Sequence, residues 1–300
     1  MLKYKRSLCS TLLLMLVATC TSHGSMTESN QSDQEDDFTA EWYDHALLAL
    51  PDLSDHTLMQ HANSMAAHNA VNNHDYAMLS HACIFDLASL DTLDSAGNKP
   101  IHKAVALNDQ RIVSRLLMED IVINFPNAAG VTPLLYAAYN NNHAIAIDLL
   151  DYGNAYPTAQ NFLGQMALHR FAYHGNTVAV QALCQAYRKI APAYVAILLD
   201  EPDAQGWTAL HYAAAMGHGD LVDMLISDGA HADKPDHAGK TPLWLAVNAG
   251  HESTVRALIG AGAQVFKDFG SNVHPLACAE QKGYNVIADM LYQALVVGSA

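Results

Sequence analysis

The sequence is poor in the features by which enzymes are usually recognised. It contains no Gly-x-Ser-x-Gly elbow, no phosphate-binding glycine loop, no Cys-x-x-Cys pair and no His-Glu-x-x-His. Its carboxylates lie mainly in an N-terminal polar stretch and in turns such as Asp233 and Asp236, where local backbone hydrogen bonds favour aspartate. Function must be argued from a site. We therefore predict a protein that is not an enzyme and takes no cofactor.

Basic residues are also scarce, with 15 Lys and Arg against 30 Asp and Glu, which gives a formal net charge of −15. Lys3, Lys5 and Arg6 lie at the very start, so the remainder is more acidic still. Such a surface disfavours nucleic acid and anionic membrane as partners. A protein partner with a basic patch is expected, because juxtaposed like charges are costly.

Only five cysteines are present, and Cys83, Cys184 and Cys278 are the three beyond the first 20 residues. They fall in different units of the repeating pattern described below, which places them too far apart for a disulfide. Cys184 is expected to take a core position. Histidine is abundant instead, at 17 residues. Four of the histidines before residue 94 leave open an alternative function as a metal or pH sensor. They are His61, His68, His74 and His81.

A phrase in the C-terminal half recurs at a fixed distance. Gly206, Thr208, Leu210 and the pair Gly217-His218 return 33 positions later as Gly239, Thr241, Leu243 and Gly250-His251. Related phrases begin at Gly97, Gly130, Gly164 and His274. Paired large residues follow each phrase at one spacing, at 116–117, 149–150, 183–184, 225–226, 258–259 and 291–292.

Each unit is predicted to form two helices. Thr-Pro opens the first, since proline fixes φ in the first turn and lacks only an N–H that would be unpaired there. The pairs Ala137-Ala138 and Ala213-Ala214 keep this helix thin, and glycines such as Gly217 end it. The second helix carries the paired large residues and ends at Gly153, Gly229 or Gly262. Each unit then exposes apolar faces that only another unit can cover.

The phrase Gly-x-Thr-Pro/Ala-Leu-His, repeated every 33 residues, resembles the ankyrin repeat. The resemblance implies an all-α ankyrin solenoid of about six repeats with short hairpin-like turns. It also implies that His102, His169 and His211 hydrogen-bond to the backbone between units. In ankyrin proteins the residue after the motif histidine, and the two before the terminating glycine, face the concave side.

Transferred to this chain, those positions are rich in tyrosine and arginine, which are frequent in binding hot spots. We therefore predict a protein–protein interaction module that binds through its concave face, and the role of an inhibitor or accessory factor of an exported protein would fit it. The predicted partner-binding residues are Lys103, Tyr136, Tyr139, Arg170, Tyr173, His174, Trp207 and Tyr212.

The N-terminus has the pattern of an export signal. Residues 1–20 combine basic residues with an apolar run from Leu12 to Ala18. Cleavage after Ala18 and lipidation of Cys20 are both open, although Thr19 departs from the lipoprotein pattern. The exported bacterial type of ankyrin protein, periplasmic or held at a membrane by Cys20, is our expectation. A secreted effector that acts inside a host is the alternative.

The remaining organisation follows from composition and spacing. Residues 21–38 are polar and acidic and read as a disordered tether. Residues 39–93 alternate Met, Ala, Leu and His at helical spacing and form a divergent helical cap, followed by repeats over 94–300. The step from Gly164 to Gly206 is nine residues too long, so 185–203 holds an insertion. It forms either a loop on the binding face or a longer second helix.

Overall fold

The computed structural model describes residues 65–85, 87–119, 121–265 and 274–298 of the chain. Within these ranges the protein is helical, with no β-strand, and no helix there is long and apolar enough to cross a membrane. The predicted export segment, the tether and residues 39–64 of the predicted cap lie outside the described residues. Cys20 and His61 also lie outside them.

Fifteen α-helices in the described ranges alternate between an inner and an outer row. The inner row contains α1 (Ala66–Asn72), α3 (Pro100–Ala106), α5 (Pro133–Tyr139), α7 (Ala167–His174), α10 (Ala209–Met216), α12 (Pro242–Ala249) and α14 (Pro275–Lys282). The outer row contains α2 (Tyr76–Phe85), α4 (Gln110–Leu117), α6 (His143–Asp151), α8 (Thr177–Ile190), α11 (Gly219–Ser227), α13 (Glu252–Gly260) and α15 (Asn285–Gly298). The remaining helix, α9 (Val195–Leu199), lies in the insertion, and each inner helix packs on the next inner helix. The prediction of an all-α repeat solenoid is confirmed.

The ends of the inner helices follow from the motif. The hydroxyls of Thr132 and Thr241 accept hydrogen bonds from the third residue of α5 and α12, and proline occupies the first position of each helix. Gly217 ends α10 in the left-handed conformation, with φ +83°. Asn141 takes the same conformation after α5, with φ +55°. Asparagine therefore substitutes for the glycine that ends most inner helices.

Gly153 does not have the role that we expected. The left-handed residue after α6 is Asn154, at φ +50°, and not Gly153. Packing favours glycine at 153 instead, because a Cβ there would lie 2.9 Å from the Leu149 carbonyl oxygen, 2.8 Å from Ile123 Cδ1 and 3.0 Å from Leu117 Cδ2. The backbone of α6 and the side chains of the preceding repeat together leave little room for a Cβ.

The core lies between the two helix rows and runs along the whole stack. Ala137, Ala138, Ala213 and Ala214 are fully buried, so neighbouring inner helices approach closely. In the outer helices the first of the paired large residues is always fully buried, with at most 1% exposure. These residues are Leu116, Leu149, Leu183, Leu225, Leu258 and Leu291. Cys83, Cys184 and Cys278 are free and buried, and the prediction that Cys184 takes a core position is confirmed.

The three motif histidines join consecutive repeats. The Lys99 N–H donates to Nδ1 of His102 at 3.1 Å, so Nε2 carries the proton and donates to the Phe125 carbonyl at 2.9 Å. His169 and His211 repeat this arrangement on the Glu201 and Lys240 carbonyls, at 3.0 and 3.2 Å. The predicted hydrogen bonds between repeats are confirmed. All three rings are fully buried.

The nine extra residues after α7 lie on the outer side of the stack. They lengthen α8 to 14 residues and add a 3₁₀ turn at Pro192–Tyr194 followed by α9. Val195 and Leu199 bury their side chains, whereas Ile190, Tyr194 and Ile197 are each about 60% exposed. On the inner side the turns before α7 and α10 still contact each other. The Ala204 N–H donates to the Leu163 carbonyl at 2.9 Å, as the Ala128 N–H does to the Ala96 carbonyl two turns earlier.

Because the motif histidines are buried and neutral, we predict that acid destabilises the protein. Burial lowers the pKa of His102 and His211 to about 4 and also lowers the pKa of His169. The unfolded chain, with histidine near 6.5, binds more protons below that pH, so stability falls as pH drops from about 6.5 towards 4. Between pH 7.5 and 5 the expected loss is on the order of 2 kcal/mol per histidine.

Urea unfolding followed by circular dichroism at both pH values checks this. His211→Leu should lower stability at pH 7.5 but reduce its dependence on pH, since one buried histidine is removed. His143→Gln, at an exposed position, is the control. An equal pH dependence in wild type and His211→Leu would contradict the assignment.

Candidate functional site

A repeated turn precedes five of the inner helices, α3, α5, α7, α10 and α12, and organises the candidate site. In each turn one Asn or Asp side-chain oxygen accepts the backbone N–H groups two and four residues later, at 2.8 to 2.9 Å. These residues stand three positions before the motif glycine. They are Asp94, Asn127, Asn161, Asp203 and Asp236.

The second polar atom of each turn residue reaches the surface that the sequence predicted for binding. Asp94 accepts the Lys103 ammonium at 3.3 Å, and Asp203 accepts the Tyr212 hydroxyl at 2.7 Å. Burial alone would raise the pKa of Asp94, but hydrogen bonds from Asn98, Ala96 and Lys103 lower it to about 2. Lys103 is thus held by an ion pair within its own repeat.

Tyr136 also has its polar atom engaged within the stack. Its hydroxyl accepts from the Asn127 amide at 3.2 Å and donates to Asn98 Oδ1 at 3.4 Å. Its ring lies edge-on to His102, with centroids 6.1 Å apart. Tyr136 is half-buried, so only part of its ring can contact a partner.

Arg170 stands at the centre of the predicted surface, between two tyrosines. Its guanidinium carbon lies 4.7 Å from the Tyr139 ring centre and 5.1 Å from the Tyr173 ring centre. Such cation–π contacts hold the guanidinium plane in place. The Tyr139 hydroxyl is fixed by the Asn161 amide at 2.8 Å, and Tyr173 is 37% exposed.

His174 completes this cluster at the end of α7. Its ring lies edge-on to Tyr173, with centroids 5.2 Å apart, and its Nε2 is buried without a hydrogen-bond partner. Burial lowers the pKa of His174, and the positive charge of Arg170 lowers it further. His174 is therefore neutral near pH 7.

Tyr212 and Trp207 extend the aromatic contacts into the next repeat. The Tyr212 ring lies 6.4 Å from Tyr173 and 5.0 Å from Trp207, and the Trp207 indole N–H donates to Asp236 at 3.0 Å. Burial, followed by the hydrogen bond to Asp203, raises the pKa of Tyr212. A continuous row of rings thus crosses two repeats. We call Tyr139, Arg170, Tyr173, His174 and Trp207 the aromatic face.

Comparison with known proteins identifies the repeat. A family model for ankyrin repeats in three copies matches residues 65–161 and 149–236, and a single ankyrin repeat model matches 238–268. The chain belongs to the ankyrin repeat family. The match begins at residue 65, so the helix pair α1 and α2 falls within it.

Curated ankyrin relatives resemble parts of the chain. Mouse B-cell lymphoma 3 protein homolog is 29% identical over 57% of this chain and 39% of its own length. Pig NF-kappa-B inhibitor alpha is 31% identical over 43% of this chain and 40% of its own. The chain therefore spans about two-fifths of the length of these relatives.

Solved ankyrin structures show the same fold. The ankyrin repeat domain of Bcl-3, described as a member of the IkappaB family, superimposes with a TM-score of 0.58 at 27% identity. The match covers 67% of this chain and 87% of that domain. An ankyrin repeat domain from Acinetobacter baumannii matches with a TM-score of 0.57 at 25% identity, over 65% of this chain and 97% of that domain.

The structure revises the role of Tyr212 among the predicted contact residues. Its side chain is only 8% exposed, and its hydroxyl both donates to Asp203 and accepts from Gln165 at 2.9 Å. Tyr212 therefore supports the ankyrin surface from within. Asn161 and Asp203, which position Tyr139 and Tyr212, were not among the predicted residues. Their constant place three residues before the motif glycine is a signal that could have revealed them.

Two of the histidines considered for metal or proton sensing, His68 and His74, are separately engaged in the ankyrin stack. His68 is fully buried and its Nε2 lies 3.1 Å from the Thr92 carbonyl. His74 contacts Asp109 of the next repeat at 2.7 Å. Across the described residues no three His, Cys, Asp or Glu side chains group into a metal site. These positions give the sensor alternative no support.

Because Tyr212 is a support, we predict that Tyr212→Phe destabilises the fold. It leaves Asp203 and Gln165 without their shared partner, and an unsatisfied buried group costs roughly 1–3 kcal/mol. Tyr173→Phe is the matched control on the same surface and should change stability by less than about 0.5 kcal/mol, as surface changes usually do. Urea unfolding measures both. Equal stabilities of the two variants would show that the Tyr212 hydrogen bonds contribute little.

Proposed function

We propose that this protein is a non-enzymatic protein-interaction module that binds a partner through the aromatic face. The observation that carries the proposal is the arrangement around Arg170, where an arginine is held between Tyr139 and a 37%-exposed Tyr173. Ordered aromatic and arginine side chains lose little entropy on binding and dominate interface energetics. Relatives named as NF-kappa-B inhibitors show that ankyrin repeats serve in inhibitory proteins, which supports an inhibitor or accessory role.

The partner that we propose has a basic patch around its contact site. The chain carries a formal net charge of −15, and the buried carboxylates of Asp203 and Asp236 accept hydrogen bonds from Tyr212 and from Trp207 of the aromatic face. Charge complementarity of this kind speeds association and is screened by salt. Binding should accordingly weaken as ionic strength rises.

The experiment that tests the proposal replaces the exposed part of the aromatic face. A triple variant, Tyr139→Ser, Arg170→Gln and Tyr173→Ser, should weaken partner binding by about 30-fold or more, the effect of losing a hot spot of about 2 kcal/mol. A photo-crosslinking amino acid at position 173 should link to the partner in a native extract, and the linked protein should then be purified for the affinity measurement.

The matched control replaces two tyrosines that lie on the loop after α6. Tyr152 and Tyr156 are 75% and 62% exposed, so Tyr152→Ser with Tyr156→Ser removes more exposed aromatic surface than the triple variant does. Binding should be unchanged in this control. If the control loses the partner and the triple variant keeps it, the binding surface is not the aromatic face.

We also propose that the protein is of the exported bacterial type, on the pattern of residues 1–20 alone. Export leaves a mature chain that begins at Thr19 or, if the protein is a lipoprotein, at a lipidated Cys20. The first possibility places it in the periplasm and the second at a membrane.

N-terminal sequencing of the native protein, with labelling by a radioactive fatty acid, checks this proposal. A lipoprotein incorporates the label, and Cys20→Ala abolishes incorporation. A periplasmic protein begins at Thr19 without label. An intact Met1 contradicts export through this segment and favours the host-directed effector instead.

A further inference from the structure

The two cations on the predicted binding surface differ in one respect. Lys103 has the Asp94 carboxylate at 3.3 Å. Arg170 occupies the same position two repeats later, one residue after the motif histidine, yet no carboxylate in the described part of the chain lies within 4.0 Å of its nitrogens. In a chain with twice as many acidic as basic residues, Arg170 is thus without a counterion.

The repeat itself explains why Arg170 is unpaired. The residue equivalent to Asp94 is Asn161, which carries no charge. Both of its polar atoms are already used, Oδ1 by the backbone of Leu163 and Gln165 and Nδ2 by the Tyr139 hydroxyl. The turn residue therefore gives Lys103 a carboxylate partner, whereas the turn residue near Arg170 is a neutral amide whose polar atoms are already hydrogen-bonded.

The side-chain nitrogen atoms of Arg170 and His174 include atoms without a hydrogen-bond partner in the described residues. Nε of Arg170 is buried without a hydrogen-bond partner, as is Nε2 of His174 one helical turn later. The terminal nitrogens of Arg170 make no hydrogen bond within the described residues and reach solvent beside Tyr173. The Arg170 guanidinium, which lies close to both tyrosine rings, can still form strong hydrogen bonds in its own plane, and a carboxylate matches that geometry best.

We propose that the partner places an aspartate or glutamate carboxylate against Arg170, between Tyr139 and Tyr173. This inference rests on the proposed function and specifies the contact at its centre. The partner's basic patch would meet the acidic surroundings, and this one acidic side chain would meet the unpaired arginine. Exchanging Arg170 for lysine would not be conservative, because lysine lacks the planar in-plane donors.

One substitution would give Arg170 a carboxylate partner within the chain and leave Arg170 itself unchanged. Asn161→Asp restores the carboxylate found at Asp94, Asp203 and Asp236, where the same turn forms on an aspartate. The new carboxylate would neutralise Arg170 internally and weaken the partner's contact. Asn127→Asp makes the same change one repeat earlier, beside Tyr136, and is the control for the added negative charge.

The experiment uses a defined probe. A display library of random twelve-residue peptides is selected on the wild-type protein, and peptides that also bind the Tyr139→Ser, Tyr173→Ser variant are discarded. The best peptide is synthesised, together with variants in which each Asp or Glu in turn is replaced by Asn or Gln. Calorimetry measures the affinity of each peptide. One acid-to-amide change should weaken binding to the wild type and to Asn127→Asp about tenfold or more.

The same change should weaken binding to Asn161→Asp or Arg170→Gln by about twofold at most, since the charged contact is already gone. Peptides that depend on the two tyrosines but need no acid would overturn the carboxylate inference and leave the proposed surface intact. A peptide whose acid matters equally in the wild type and Asn161→Asp would also overturn it. Selection that yields no tyrosine-dependent peptide would count against both proposals.

Discussion

The structure depends on one hydrogen-bonded unit, the turn closed by an Asn or Asp side chain, which precedes the inner helices α3, α5, α7, α10 and α12. A single oxygen of Asp94, for example, fixes the backbone of Ala96 and Asn98 and so sets where α3 begins. The buried histidine three residues into the helix then reaches the next unit, as His102 does to the Phe125 carbonyl. These short-range contacts fix the spacing at which apolar helices stack, and the apolar core supplies the stability.

The same unit also determines the chemistry of the inner surface. The second polar atom of each turn residue contacts a side chain of the inner surface, and the identity of both residues decides what remains available for a partner. Asp94 neutralises Lys103, and Asp203 holds the Tyr212 hydroxyl, so these positions are satisfied within the stack. Asn161 leaves Arg170 unpaired. Surface specificity in this protein thus arises from small changes within a structural motif.

Sequence alone predicted most of the fold because its determinants are local. The helix starts at Thr132 and Thr241, the left-handed ends at Gly217 and the buried histidines all follow from residue types at fixed spacing. The burial of Tyr212 could not be predicted in the same way. It depends on hydrogen bonds of the Tyr212 hydroxyl with Gln165 and Asp203, which belong to consecutive turns. Predicting these contacts requires knowing how two repeats pack against each other.

The role of Gly153 could not be predicted from the sequence either. A glycine near a helix end suggests a left-handed cap, yet here the neighbouring Asn154 adopts that conformation and the glycine makes room for Ile123 and Leu117. The choice between the two roles is made by side chains of the preceding repeat. Periodicity identifies which positions matter, whereas the contacts across repeats decide what each position does.

The insertion illustrates how the stack separates its two sides. The nine extra residues follow the helix that carries Arg170, and they could have displaced the binding surface. They are accommodated at the outer side, where Arg188 of α8 pairs with Asp228 beyond α11 at 2.5 Å and Ala196 of α9 lies against Gly229. On the inner side His169 still reaches the Glu201 carbonyl and Ala204 still pairs with Leu163. The turn that holds Asp203, and with it Tyr212 beneath Tyr173, therefore keeps its place, so the outer side can vary in length without altering the aromatic face.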